Sequence, residues 1–407
     1  MIEIPKDVKF IIDTLEAAGF EAFVVGGCVR DVIRGAKPKD WDIATSAEPL
    51  EAKALFSRTI DTGLKHGTIT VLLNRERYEV TTYRIDGEYL DSRRPETVTF
   101  AQRIEEDLSR RDFTINAIAY SPTRGFADPF NGRGDIEAGV IKCVGNAENR
   151  FGEDALRMLR AIRFAAVLDF SVDVAALNAI TKLKSNLTNI SAERIREEMC
   201  KLICGANPSA AKLLETTGLL YYALRNREYG GNLDEVINQL NHVSERQKRN
   251  ESLITNDANE QARLALFLAW AKDDCPNILH DLRFDNNTIK NVSMYVQFLP
   301  TEIQPDRYEI KKLMRILSPK HLKILLELQY ITAPFGTASQ GLILHEAQSI
   351  IEKNECFTLR DLAINGNDLL NAGIPSGKAM GETLEKLLDA VMREPSMNTR
   401  ERLLCEI

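Results

Sequence analysis

Apolar and polar positions follow two regimes along this chain. Up to about residue 143 the pattern is mixed. "MIEIPKDVKFIIDTLEAAGF" predicts an amphipathic helix, and "EAFVVGG", a short apolar run ending in glycine, predicts a buried strand. "CVRDVIRG" predicts a short helix stopped by Gly35, and "KDWDIAT" predicts a strand. "TITVLLN" and "RYEVTTYRI" predict a hairpin around Asn74, Arg75 and Glu76. "GEYLDSRRPETVTFAQ" gathers Gly, Asp, Ser and Pro and predicts a long loop. "EEDLSRRDFTINAIAY" is expected to turn helical, and "DPFNGRGDIEAG" to form a turn-rich joint.

From about residue 147 the helical period dominates. Glu153 and Asp154 stand where a helix N-terminus favours acidic groups. Asn207-Pro208 and Ser318-Pro319 each read as a cap followed by proline at the first helical position. "ARLALFLAWAKD", "HLKILLELQYI", "LILHEAQSIIEKN" and "TLEKLLDAVMRE" predict helices. The pattern describes an α+β chain, an α/β head followed by an all-helical remainder.

Composition sharpens this picture only in places. The 407 residues suggest about two to four domains or subdomains. A formal net charge of -7 means that any nucleic-acid surface must come from local clusters of Lys and Arg. Seven scattered cysteines, no CxxC pair and five histidines argue against a zinc site and suit a reducing cytoplasm. The N-terminus lacks a signal-peptide layout, and no apolar run is long enough to cross a bilayer.

Candidate chemistry concentrates in "FVVGGCVRDVIRGAKPKDWDIATS", Phe23 to Ser46. On a strand, Asp40 and Asp42 project together, with Trp41 turned away. Adjacent carboxylates repel unless a cation lies between them, and oxygen ligands suit Mg²⁺. Gly26 and Gly27 let the backbone approach a ligand closely, and the N–H groups of the next helix suit an anion. Arg30, one turn into that helix, adds a fixed positive charge. A lone DxD is ordinarily a solvated strand end and a lone GG a turn; the joint spacing is what is specific.

These residues carry a family resemblance. "VVGGCVRDVIRGAKPKDWDIAT" resembles the first motif of the class II tRNA nucleotidyltransferases, the CCA-adding enzymes, and of the related bacterial poly(A) polymerases. "EEDLSRRDFTINAIAY" resembles the family's RRD motif and "DPFNGRGDI" its head-to-neck hinge. "EDALRMLRAIRFAA" resembles its EDxxR motif, "SAERIREEM" its next neck helix, and "INGNDLLNAGIPSGKAMGETLEKLLDAVM" its C-terminal region. The resemblance implies a polymerase-beta-like nucleotidyltransferase head at 1–143, then a helical neck at 144–206, body at 207–300 and tail at 301–407. It implies that Asp40 and Asp42 bind two Mg²⁺ ions, one activating the RNA 3′-hydroxyl and one holding the nucleotide phosphates. Gly26, Gly27 and Arg30 belong to the nucleotide site; Glu79, on a neighbouring strand, is a candidate third acid or else an exposed strand residue. From the RRD motif, Arg111 is carried over to the phosphates and Asp112 to a ribose hydroxyl.

In "GEDALRMLRAIRFAA", Asp154 and Arg157 are three apart and share a face, and Arg160 and Arg163 continue the row. Leu156, Leu159, Ile162 and Phe164 supply a packing face, leaving the charged row free. Asp154 accepts from the amino group of cytosine or adenine while Arg157 donates to the ring nitrogen. Uracil and guanine present the reverse order, so C and A are selected together. Arg160 and Arg163 then serve the phosphates or hold the helix geometry.

The loop from about Asp86 to Phe100 resembles the family's flexible loop for adding the final A. "TGLKHGTITVL" resembles the CCA-adding pattern and not the basic segment of poly(A) polymerases. The expectation is stepwise addition of C, C and A to tRNA from CTP and ATP, in the cytoplasm and away from membranes. A-only addition, poly(A) synthesis and a catalytically idle tRNA-binding protein are the alternatives, and a homodimer stays open. "GIPSGKAM", around Lys378, reads as a turn leading into a helix and not as a phosphate loop. "SERQKRN" and "EIKKLMR" are candidate tRNA contacts, with solvated helix faces the favoured reading.

Overall fold

The computed structural model describes residues 2–87, 98–333 and 337–407. The chain forms two compact units, Met1–Leu233 with Ile278–Phe284, and Asp234–Asn277 with Asp285–Ile407.

The first unit opens with α1 (Lys6–Ala17), which buries Val8, Ile11, Ile12 and Leu15. Next come β1 (Ala22–Val25), α2 (Gly27–Ile33), β2 (Ile43–Thr45) and α3 (Pro49–Ala54). β3 (Thr59–Gly63), β4 (Thr68–Leu73) and β5 (Glu76–Thr82) follow. The chain then runs through β6 (Arg84–Asp86), β7 (Val98–Phe100), α4 (Ile104–Ser109), β8 (Ala119–Ser121), β9 (Gly125–Ala127) and α5 (Gly132–Ala138). The main sheet has seven strands in the order β3-β4-β5-β2-β1-β8-β9. β1 lies in its interior, antiparallel to β2 and β8, so all four residues of "AFVV" are buried. The β4–β5 hairpin closes on Asn74 and Arg75, with φ of 50° and 71°. Positive φ at both central residues suits the right-handed strand twist.

Three segments depart from expectation. Asp40 and Asp42 precede the strand, which begins at Ile43; the Asp42 carbonyl accepts the Val25 N–H at 3.0 Å, so the segment runs beside β1. "EEDLSRRDFTINAIAY" is helical only in α4; Thr114–Asn116 form a 3-10 turn, and "AIAY" leads into β8. The "AIAY" residues are all buried, and a short fully apolar run has no period to separate helix from strand. "DPFNGRGDIEAG" contains α5, whose first N–H groups, on Gly132 and Arg133, donate to the Asp128 carboxylate at 2.6 and 3.0 Å. The expected long loop is closed at its base by β6 pairing antiparallel with β7, while residues 88–97 lie outside the described ones.

Four further helices complete most of this unit: α6 (Ala147–Glu153), α7 (Leu156–Leu168), α8 (Val174–Leu183) and α9 (Ala192–Ile203). Glu153 ends α6 instead of opening the next helix. Asp154, at φ -139° and ψ 105°, breaks the chain, and its carboxylate accepts the Leu156 N–H at 3.0 Å. Asn207 caps the 3-10 turn Pro208–Ala211 by accepting the Ser209 N–H.

The described elements of the second unit are all helices. Arg307–Thr332 is two helices parted at Ser318, with Pro319 starting the second. In "EIKKLMR" Glu309, Lys312 and Arg315 form the expected solvated face, and Lys311 departs from it. Lys311 is fully buried, donating to the Met392 carbonyl at 3.0 Å and pairing with Glu355 at 2.8 Å. Arg315 forks onto Glu385 at 2.7 and 2.6 Å, and in "SERQKRN" Arg246 is held by the buried Glu327 at 3.2 Å. "GIPSGKAM" is a turn, with Gly377 at φ 114° leading into the helix Lys378–Arg393. All seven cysteines are free thiols, and no described helix is long and apolar enough to cross a membrane.

Candidate active site

The site grows from the turn between β1 and α2. Gly26 has φ 75° and ψ -126°, a backbone that only glycine holds without strain. Arg111 lies against it: a Cβ on Gly26 would stand 2.8 Å from Arg111 Nη1. Helical spacing sets Arg111 in place, because Asp107 precedes Arg110 by three residues and Arg111 by four. One Asp107 oxygen accepts Arg110 at 2.7 Å and the other accepts Arg111 at 3.1 Å. The Asp107 side chain is 1% exposed. Burial pushes its carboxyl up, but the two guanidiniums more than offset this and hold it below the usual carboxylate range.

Beside this turn stand three carboxylates. β2 runs parallel to β5 with Ile43 opposite Val80, so the preceding residues, Asp42 and Glu79, arrive side by side at the same sheet end. Burial, then the charges of Asp40 and Glu79, push the Asp42 carboxyl up to about 6, and Arg111 opposes them. All three acids are exposed to solvent. No described residue makes an ion pair or side-chain hydrogen bond with the carboxylates of Asp40, Asp42 or Glu79. Nor do three or more His, Cys, Asp or Glu side chains among the described residues form a ready-made metal cage. An exposed carboxylate pair is still the donor set that Mg²⁺ takes, because that ion keeps waters and completes its shell with substrate phosphates. The residues fit a divalent cation, whose charge would offset the burial and the neighbouring carboxylates that raise Asp42.

The remaining candidates sit deeper and hold one another. Arg30 is buried, donating to Asn116 Oδ1 at 2.8 Å and to Asp31 at 2.9 Å. Asp112 accepts from Arg160 at 2.7 and 2.9 Å, from the Asn116 amide at 3.1 Å and from the Phe113 N–H at 2.8 Å. Burial pushes its carboxyl up, but the Arg160 charge and these hydrogen bonds outweigh it, bringing it down to about 2. Arg157 donates to the carbonyls of Arg150 at 3.0 Å and Arg110 at 3.2 Å and pairs with Glu153. Asp154 pairs with Arg194 at 2.7 Å, and Arg163 with Glu198 at 2.7 Å. The charged row of α7 is therefore not free, as its spacing suggested. α7 is buried on most sides, Arg157 included, and a charge taken out of water needs a partner.

Comparison with known proteins gives this arrangement a family. The "Poly A polymerase head domain" family model matches residues 22–142, and "tRNA nucleotidyltransferase domain 2" matches 254–407. The CCA-adding enzyme of Lactobacillus johnsonii is 39% identical, covering 94% of this chain and 92% of its own. That of Leuconostoc mesenteroides is 37% identical, covering 98% and 94%. The chain belongs to the CCA-adding enzyme family. The crystal structure of the Bacillus stearothermophilus CCA-adding enzyme in complex with CTP superposes with a TM-score of 0.82 at 32% identity, over 98% of this chain and 96% of that one. Family membership carries with it the nucleotidyltransferase head and the use of a divalent metal.

Within this family fold, the structure adds residues that sequence reasoning missed: Asp107, Asn116, Glu153, Arg194 and Glu198. Asp107 had a signal, its three- and four-residue spacing from the arginine pair. Arg194 and Glu198 lie in the "SAERIREEM" stretch, but nothing in its spacing signalled their contacts, because they meet Asp154 and Arg163 from 40 and 35 residues away.

Proposed function

We propose that this chain adds C, C and A stepwise to the 3′ end of tRNA from CTP and ATP, without a template and with release of pyrophosphate. What carries the reading is full-length likeness to CCA-adding enzymes, at 39% identity over 94% of the chain. Asp40 and Asp42 hold Mg²⁺, with Glu79 beside them. Once bound, the cation supplies charge neutralisation at the nucleotide phosphates and activates the RNA hydroxyl. The open backbone at Gly26 and Gly27 lets phosphates approach, and Arg111 donates charge-assisted hydrogen bonds to them. Arg30, Asp112, Arg160 and Arg163 hold the nucleotide pocket in shape. Asp154 accepts from the base amino group and Arg157 donates to the ring nitrogen. U or G sets acceptor against acceptor and donor against donor, costing roughly 1–3 kcal/mol for each unpaired group. The head at 1–143 does the chemistry, the neck at 144–206 reads the base, and the body at 207–300 and tail at 301–407 hold tRNA. The free thiols fit work in the cytoplasm.

The test is incubation of purified protein with a tRNA trimmed before CCA, Mg²⁺ and each nucleotide singly and combined, followed by end sequencing. CTP alone should give two added C residues, ATP alone none, and the mixture CCA. Long A runs from ATP alone overturn the reading in favour of poly(A) synthesis. Addition of A only to ends already carrying CC points to an A-adding enzyme.

A further inference from the structure

We infer that Arg194 is a positioning residue for nucleotide selection, fixing the carboxylate of Asp154 in the plane needed to accept from a base amino group. The inference rests on the proposed role of Asp154. Asp154 lies in the break between α6 and α7, where its non-helical backbone leaves the side chain without the constraints of a helix. Its orientation is set by hydrogen bonds. Oδ1 accepts the Leu156 N–H at 3.0 Å and faces Arg194 Nη1 at 3.4 Å, while Oδ2 accepts Arg194 Nη2 at 2.7 Å. A planar guanidinium opposite both oxygens fixes the carboxylate plane as well as its place. A carboxylate offers about four acceptor positions, so these bonds leave acceptor capacity for a base.

The partner on the reading edge is fixed separately. Arg157 is held by Glu153 and by the Arg150 carbonyl at 3.0 Å, with no shared contact to Arg194. Acceptor and donor are thus each aligned by their own charged neighbour. Arg194 is itself well seated: α9 packs along α7 and presents Glu198 four residues further on the same face, pairing with Arg163 at 2.7 Å and Arg160 at 3.5 Å. Losing Arg194 leaves the acidic groups of the head untouched but lets the Asp154 carboxylate rotate. Fidelity should therefore fail before chemistry does.

The experiment uses the full chain and a tRNA lacking CCA, and measures kcat and KM for CTP and UTP. In Arg194→Gln, the preference for CTP over UTP should fall at least about tenfold, the scale of losing a charge-assisted hydrogen bond. KM for CTP should rise while kcat stays within a few-fold. Arg194→Lys, which keeps the charge but not the fork, should fall between the two. In an Asp154→Asn background, Arg194→Gln should bring no further change in preference. An unchanged preference in Arg194→Gln overturns the inference, as does an equal loss in the Asp154→Asn background. If circular dichroism shows Arg194→Gln unfolded, Arg194→Lys carries the same two comparisons. Wild-type protein inert toward CTP defeats the proposed function; wild-type protein that selects CTP, with no effect of Arg194, defeats only this inference.

Discussion

The end of β2 and the surroundings of α7 treat charge in opposite ways. At the end of β2, Asp40, Asp42 and Glu79 crowd one another without an ion pair among the described residues, and Asp42 is pushed up to about 6. On and around α7, each of Asp112, Asp154, Arg157, Arg160 and Arg163 has a protein partner of opposite sign. Uncompensated carboxylates at the end of β2 leave binding energy there available to a cation. Compensated charges around α7 leave nothing to be neutralised, so their worth lies in geometry. On the proposed roles, chemistry and selection rest on different electrostatic states of one folded unit.

The largest way to break this contrast is Asp42→Asn. Loss of the metal pair should lower nucleotide incorporation on the order of 10³-fold, since metal stabilisation of transition-state charge is worth several kcal/mol. Affinity for tRNA should persist, and thermal stability should not fall, because a repulsion has been removed. Undiminished incorporation would discard the metal assignment. Next comes Gly26→Ala, which strains a positive-φ turn by roughly 1–3 kcal/mol and drives Arg111 from its seat. Unfolding by urea and phosphate-dependent KM should both register it, and wild-type values in both would remove the turn from the site.

Asp112→Asn sharpens the contrast with the opposite sign of stability. The Asp112 carboxyl lies at about 2 in the folded chain against an ordinary 3.8. A depressed carboxyl contributes stability that is full above about pH 3.8 and is lost as pH falls towards about 2. Its replacement should therefore cost roughly 2 kcal/mol near neutral pH and flatten the acid limb of the stability curve. An acid limb identical to wild type would contradict the pairing with Arg160. The smallest effect is the ion itself. Mg²⁺ at ten times its Kd should stabilise the wild type by about 1.4 kcal/mol in thermal unfolding, reversibly with a chelator, and should leave Asp42→Asn unmoved. Equal stabilisation of both proteins would place the ion elsewhere.

Much of the head was legible because its signals are local. The Gly26 turn, the Asn74-Arg75 hairpin and the Asp40-Asp42 pair each sit within a few residues, and the strand order brings Glu79, which is also exposed on its strand, beside the pair. "AIAY" was misread because a fully buried strand has lost the alternation that marks one. The neck row was legible as residues and illegible as contacts. Helical spacing places Asp154 and Arg157 near each other, but Arg194, Asp112 and Glu198 come from other elements, across separations that no periodicity encodes. Asp107 lies between these cases, readable by spacing once the helix is known to end at Ser109.

α9 carries a lesson for anyone wishing to retrain this protein toward a different nucleotide. Arg194 and Glu198, one turn apart, steady both ends of the α7 row, so the two helices act as a matched set. Grafting α7 from a relative with altered preference would import side chains without their supports. The transplantable unit is the helix pair, and exchanges that respect it should keep their accuracy where single-helix swaps become promiscuous.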